Sequence, residues 1–164
     1  MSIFDNSLEP LKRMHRKARE RRLLATQNVK DSLARRLEGD QETFDHSPVS
    51  FSPDPAQHSV GILLVHGFTG SPHSMRPLAQ RFMKLGYAVE MPVLAGHGTH
   101  WKDLRDSTYE QWLASAEQGY RRLTDQGLRV VVIGMSMGGT VATHLSARLP
   151  VAGTVLINPY MVDV

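Results

Sequence analysis

Val130-Val131-Val132-Ile133-Gly134-Met135-Ser136-Met137-Gly138 is followed at once by Gly139 and a helix-like run from Thr140 to Leu149. Four consecutive β-branched residues read as a short buried strand, and the apolar and small residues after Gly138 read as a helix. Between them stands a serine with glycines two residues to either side. A serine on so sharp a strand-to-helix turn takes a strained backbone, and its neighbours must be small so that strand and helix can pass closely. Its hydroxyl then projects above the sheet, beside the amide donors of the helix N-terminus. That is the placement a nucleophilic serine needs.

Working outward, strands and helices alternate. Val60 to Val65 reads as a buried strand and leads into the glycine-rich loop His66-Gly67-Phe68-Thr69-Gly70. A helix capped by Ser74 runs to Leu85, with Pro77 in its first turn and Gly86 at its end. Tyr87 to Met91 is the next strand, and a loop from Pro92 to Ser107 carries Gly96-His97-Gly98. Ser107 and Glu110 have capping-box spacing, opening a helix with Trp112, Leu113, Ala116, Tyr120 and Leu123 on one face. Gly153 to Ile157 forms a last strand, and the proline-flanked segment from Ser47 to Pro55 has room for one short edge strand. Alternation of this kind predicts an α/β fold, a mostly parallel sheet with helices on both faces.

Composition sets bounds. With 41% hydrophobic and 21% charged residues, the 164-residue chain suits one globular domain, and no apolar run is long enough to span a membrane. Without cysteine there is no disulfide or thiol chemistry, and the eight histidines show no ligand spacing that calls for a metal. No secretory leader is evident at the N-terminus, so a cytoplasmic location is the expectation. The net charge of +3 is uneven: residues 1–38 hold ten of the 19 Lys and Arg against five acids. Residues 7–37 read as a basic helix, and residues 1–40 as an extension ahead of the domain at 41–164. A solvated or docking helix is the plain reading, with weak contact to a membrane surface as an alternative. Nucleic-acid binding is not expected, because no aromatic residues are interleaved with the charges.

Ser136 alone is compatible with a glycine-rich turn that merely caps a helix, but the His66–Gly70 loop supplies a second half. Attack on an acyl carbonyl leaves a negative oxygen, which two fixed amides should bind. We assign these to the backbone N–H groups of Phe68 and Met137. Taken together, the Leu63-Leu64-Val65-His66-Gly67-Phe68-Thr69-Gly70 strand and loop, Leu94-Ala95-Gly96-His97-Gly98, Trp112 and Gly134-Met135-Ser136-Met137-Gly138-Gly139 resemble the α/β-hydrolase fold. Within it they are similar to bacterial carboxylesterases and monoacylglycerol lipases. The resemblance covers roughly residues 45–164. It implies a serine ester hydrolase working through an acyl-enzyme on Ser136, with esters or monoacylglycerols as substrates and with no metal or cofactor. A peptidase or acyltransferase on the same fold, or an inactive interaction module, is the alternative.

One departure stands out. The resemblance implies an acid and a histidine after the nucleophile, yet only 28 residues follow Ser136, holding His144 and Asp163. His144 lies roughly 12 Å along the helix from Ser136 by helical rise, too far to act as its base. Asp163 reads as a solvated carboxylate rather than the triad acid. His66 is expected to pin the oxyanion loop, and His97 the Gly96–Gly98 turn. The chain is therefore expected to be the N-terminal half of a hydrolase domain, lacking the C-terminal strands.

Overall fold

The structure, a computed structural model, describes residues 45–53 and 58–161. The basic segment 7–37 and Asp163 lie outside the described residues. Five strands form one sheet: β1 (Val49–Phe51), β2 (Val60–Val65), β3 (Ala88–Met91), β4 (Arg129–Met135) and β5 (Gly153–Ile157). The spatial order is β1-β3-β2-β4-β5, with β1 antiparallel to β3 and every other pair parallel. From β2 the chain crosses outward to β3, whereas from β4 it crosses the other way to β5. The gap between the carboxyl ends of β2 and β4 is thus the switch point at which sheets of this type open a crevice.

The strands alternate between two apolar layers. Leu63, Val65, Val130 and Val132 pack with α3 (Tyr109–Thr124) and α4 (Met137–Arg148), through Leu113, Ala116, Leu123, Val141 and Leu145. Ile62, Leu64, Val131 and Ile133 face the other layer, with Met75 and with Ala79 of α1 (Arg76–Lys84). Helices on both faces leave the middle strands as unbroken apolar runs, as the sequence predicts. At β5 the pattern fails: Val155, Leu156 and Ile157 are 47%, 39% and 40% exposed. No helix among the described residues is long and apolar enough to cross a membrane.

Three local expectations shift. Ser74 does not cap the first helix; Ser71 caps a 3-10 turn, Pro72–Met75, by accepting from the His73 N–H, and α1 follows from it. Pro72 and Pro77 each fit an opening turn, because proline lacks only an N–H that such a turn leaves unpaired. The box that opens α3 is Thr108 with Gln111, one residue later than expected. Ser107 is occupied elsewhere, donating to Leu104 O and accepting from Trp112 Nε1. Inside the expected loop lies α2 (Trp101–Asp106), opened by a box of His100 with Asp103. It carries no apolar stripe, so periodicity gives it no signal.

Two buried features lock the sheet to its loops. The first is the crossing of α4 over β2 and β4. A Cβ on Gly138 would sit 2.2 Å from Val65 O and 2.4 Å from His66 O, and one on Gly134 would sit 2.2 Å from Gly138 O. These neighbours are backbone and cannot swing aside. The second is His66, fully buried at the end of β2. Leu94 N–H donates to its Nε2 at 3.1 Å, so the ring proton lies on Nδ1, which donates to Gly67 O at 3.0 Å. Burial, aided by the nearby His97, drives the His66 pKa down to about 4, against the opposing bond to Gly67.

Gly138→Ala is expected to lower stability by at least about 3 kcal/mol, read from the urea unfolding midpoint. Gly127→Ala is the comparator: φ there is +75° and a Cβ meets nothing within 4 Å. Its cost should be only about 1 kcal/mol, from backbone strain alone. Equal losses would show that the crossing is not tight. A histidine that stays neutral when folded but titrates near 6.5 when unfolded gives full stability above that pH and loses it below. As pH falls from 6.5 toward about 4, His66 alone should therefore withdraw up to about 3 kcal/mol. Burial also lowers the His97 pKa, so both act in the same direction. Urea midpoints between pH 7 and 4 should show this slope, and His66→Asn should flatten it; an unchanged slope in the variant would remove His66 as its source.

Candidate active site

Ser136 stands between the end of β4 and the first residue of α4, at φ 54° and ψ −124°. A positive φ is rare for a residue with a side chain and is kept only where surroundings enforce it. Here the enforcement is visible. Ser136 N–H donates to Ile157 O at 2.9 Å, and Ser136 O accepts from Gly139 N–H at 2.8 Å and Tyr160 N–H at 3.1 Å. The side chain is exposed.

The loop after β2 lies directly against it. A Cβ on Gly67 would fall 3.1 Å from Ser136 Cβ and 3.6 Å from its Oγ. This closeness follows from the sheet: β2 and β4 are adjacent and in register, Val65 opposite Gly134, so the residues two positions further on meet above them. Phe68 follows Gly67, and Met137 follows Ser136 as the first residue of α4, whose opening amides have no partner within the helix. Among the described residues neither amide donates to another backbone group. The structure thus brings Ser136, Phe68 and Met137 together.

The histidines fall elsewhere. His66 spends both ring nitrogens on backbone, one of them tying the loop to Leu94, as a pin rather than a base. His97 pins its own turn by donating from Nδ1 to Ala95 O at 3.1 Å, while Nε2 is buried without a partner. Its ring is set among those of His66, Phe68 and Trp112, at centroid distances of 5.1, 6.1 and 5.5 Å. His144 faces α3, its Nδ1 3.1 Å from the Tyr109 hydroxyl. No group of His, Asp or Glu among the described residues is arranged to hold a metal ion.

Above Ser136 opens a cavity of about 310 Å³ lined by Phe68, Trp112, Ser136, Met137 and Tyr160. Trp112 is fixed by its Nε1 bond to Ser107 at 2.8 Å, and Phe68 leans on it at 6.0 Å between centroids. Of the five lining residues, Ser136, Phe68 and Met137 are expected in the site from the sequence, Trp112 is expected only on a helix face, and Tyr160 is missed. The Asn158-Pro159 pair, a turn signal after a strand, is the clue that the chain bends back there.

Comparison with known proteins agrees with this geometry. Residues 62–164 match the model of the alpha/beta hydrolase family. A thermostable monoacylglycerol lipase from a Bacillus species is 51% identical over 100 residues, which make up 60% of this chain and 40% of the lipase. A carboxylesterase of Bacillus subtilis is 32% identical over 95 residues, 57% of this chain and 39% of the esterase. The chain thus spans less than half the length of the curated relatives it matches. Among solved structures, a metagenome-derived lipolytic enzyme superposes with a TM-score of 0.65 at 35% identity, over 70% of this chain and 46% of its own. A carboxyl esterase from Bacillus coagulans, 21% identical with a TM-score of 0.53 over 67% of this chain and 43% of its own, shares the fold. The motif-bearing strands, the serine turn and these matches lead to one assignment: the chain belongs to the alpha/beta hydrolase family.

Proposed function

We propose that the chain carries the nucleophile and oxyanion hole of a serine carboxylic-ester hydrolase, acting on monoacylglycerols or similar esters. The observation that carries the reading is the positive-φ Ser136, exposed and held against Gly67 of the loop after β2. In the proposed reaction Ser136 Oγ attacks the acyl carbon and gives its proton to a base. The carbonyl oxygen becomes negative and is held by the two amides, each such donor supplying about 3–4 kcal/mol. Collapse expels the alcohol, which takes the proton. Water then cleaves the acyl-enzyme to release the acid. The apolar cavity suits an acyl chain, and the names of the lipase and esterase relatives support that substrate class. His66 has both ring nitrogens bonded to backbone and His144 faces Tyr109, and the reading takes its base and orienting acid from elsewhere.

Two forms test this: the 164-residue chain, and a chimera joining it to the C-terminal part of the Bacillus monoacylglycerol lipase. A fluorophosphonate should label the chimera at Ser136, located by mass spectrometry. Hydrolysis of p-nitrophenyl butyrate by the chimera should fall at least about 10³-fold on Ser136→Ala. The unextended chain should neither label nor turn over. Label on another residue, or full turnover in the alanine variant, would sink the assignment.

A further inference from the structure

Tyr160 is the lining residue that neither the serine turn nor the oxyanion loop accounts for. It comes from the segment just past β5, and that segment is bound to the serine turn at every step. Ile157 O accepts from Ser136 N–H, and Tyr160 N–H donates back to Ser136 O at 3.1 Å. The Thr140 hydroxyl, one turn into α4, donates to Tyr160 O. Asn158 takes φ 44° to make the bend. Pro159 then lies so close to α4 that a Cβ on Gly139 would meet its Cβ at 2.8 Å. Both peptide groups flanking the Ser136 side chain are thus fastened to the same four residues that deliver Tyr160.

The side chain is held differently from its backbone. The Tyr160 N–H and C=O are both bonded, yet the residue is 64% exposed. It lines the cavity together with Phe68 and Trp112, whose rings stand 6.0 Å apart. A ring so exposed on a bonded backbone contributes less to the core than to the outline of the cavity.

From this geometry we infer that Tyr160 is a specificity-determining residue, its ring setting the length of acyl chain admitted beside Ser136. The inference rests on the reading of Ser136 as the nucleophile and of the cavity as the acyl site. It concerns binding and asks for no chemistry. The ring matters and the hydroxyl does not, because the cavity is lined by apolar atoms.

The test uses the full chain with Trp101→Phe, leaving Trp112 in the cavity wall as the only tryptophan. Its emission is titrated with hexanoate, octanoate, decanoate and dodecanoate below their micellar ranges. Affinity should peak at one chain length within this series. Tyr160→Ala should move the peak to longer chains, raising the dodecanoate-to-octanoate affinity ratio about tenfold, while Tyr160→Phe keeps the parent profile. An alanine variant with native emission and the parent length profile would overturn the role of Tyr160 alone. Should the parent protein bind none of the acids, the acyl-site reading falls and the inference with it.

Discussion

The backbone contact between α4 and β2 at Gly138 is the constraint on which the remainder depends. With no side chain at positions 134 and 138, the helix comes down onto the sheet until carbonyl oxygens fill the space a Cβ would need. That approach fixes where α4 begins, and so fixes Ser136 at its foot and Met137 as its first amide. The same contact is made to Val65 O and His66 O, the residues that lead into the loop after β2. One steric condition therefore sets the distance between the serine and that loop. A larger residue would part them as well as destabilise the sheet.

Buried polar groups are placed to serve the same end. His66 occupies a position where an apolar residue would pack well, and its burial costs stability in acid. In exchange it ties Gly67 on one side and Leu94 on the other, joining the loop after β2 to the segment after β3. Glu90 on β3 plays an equivalent part at the far edge. Buried within the protein, it accepts from Ser50 of β1 at 2.5 Å and from Arg122 of α3 at 2.8 Å. Each uses a charge or ring nitrogen to fix an element that apolar contact would leave free to slide.

What was legible in the sequence divides along physical lines. Val60–Val65 and Val130–Ile133 announce themselves, since a strand buried on both faces must be apolar throughout. Gly134, Ser136 and Gly138 are equally plain, because their spacing answers a steric need that admits few other residues. Ser71 as the cap, Thr108 in place of Ser107, and the whole of α2 were not legible. Those choices turn on which of several neighbouring hydroxyls is already engaged, as Ser107 is by Trp112 and Leu104. The strap after β5 leaves only the Asn158-Pro159 turn signal in the sequence, because its own bonds run through its backbone atoms. The basic helix expected over 7–37 lies outside the described residues.

The site separates holding from activating. The groups that would hold an oxyanion come from the ends of β2 and β4, which are neighbours in the sheet and in register, while the strap after β5 fastens the serine backbone. Residues 66–128 separate the two strands in sequence, so their geometry follows from sheet pairing and from the α4 crossing. Activation is a different problem: a base must reach Ser136 Oγ with a free ring nitrogen, and His66 has none to offer. The two requirements oppose each other, because a histidine tied into the backbone firmly enough to shape the oxyanion loop has surrendered the lone pair that general-base catalysis uses. A hydrolase on this framework must therefore bring its base from an element that does not build that loop.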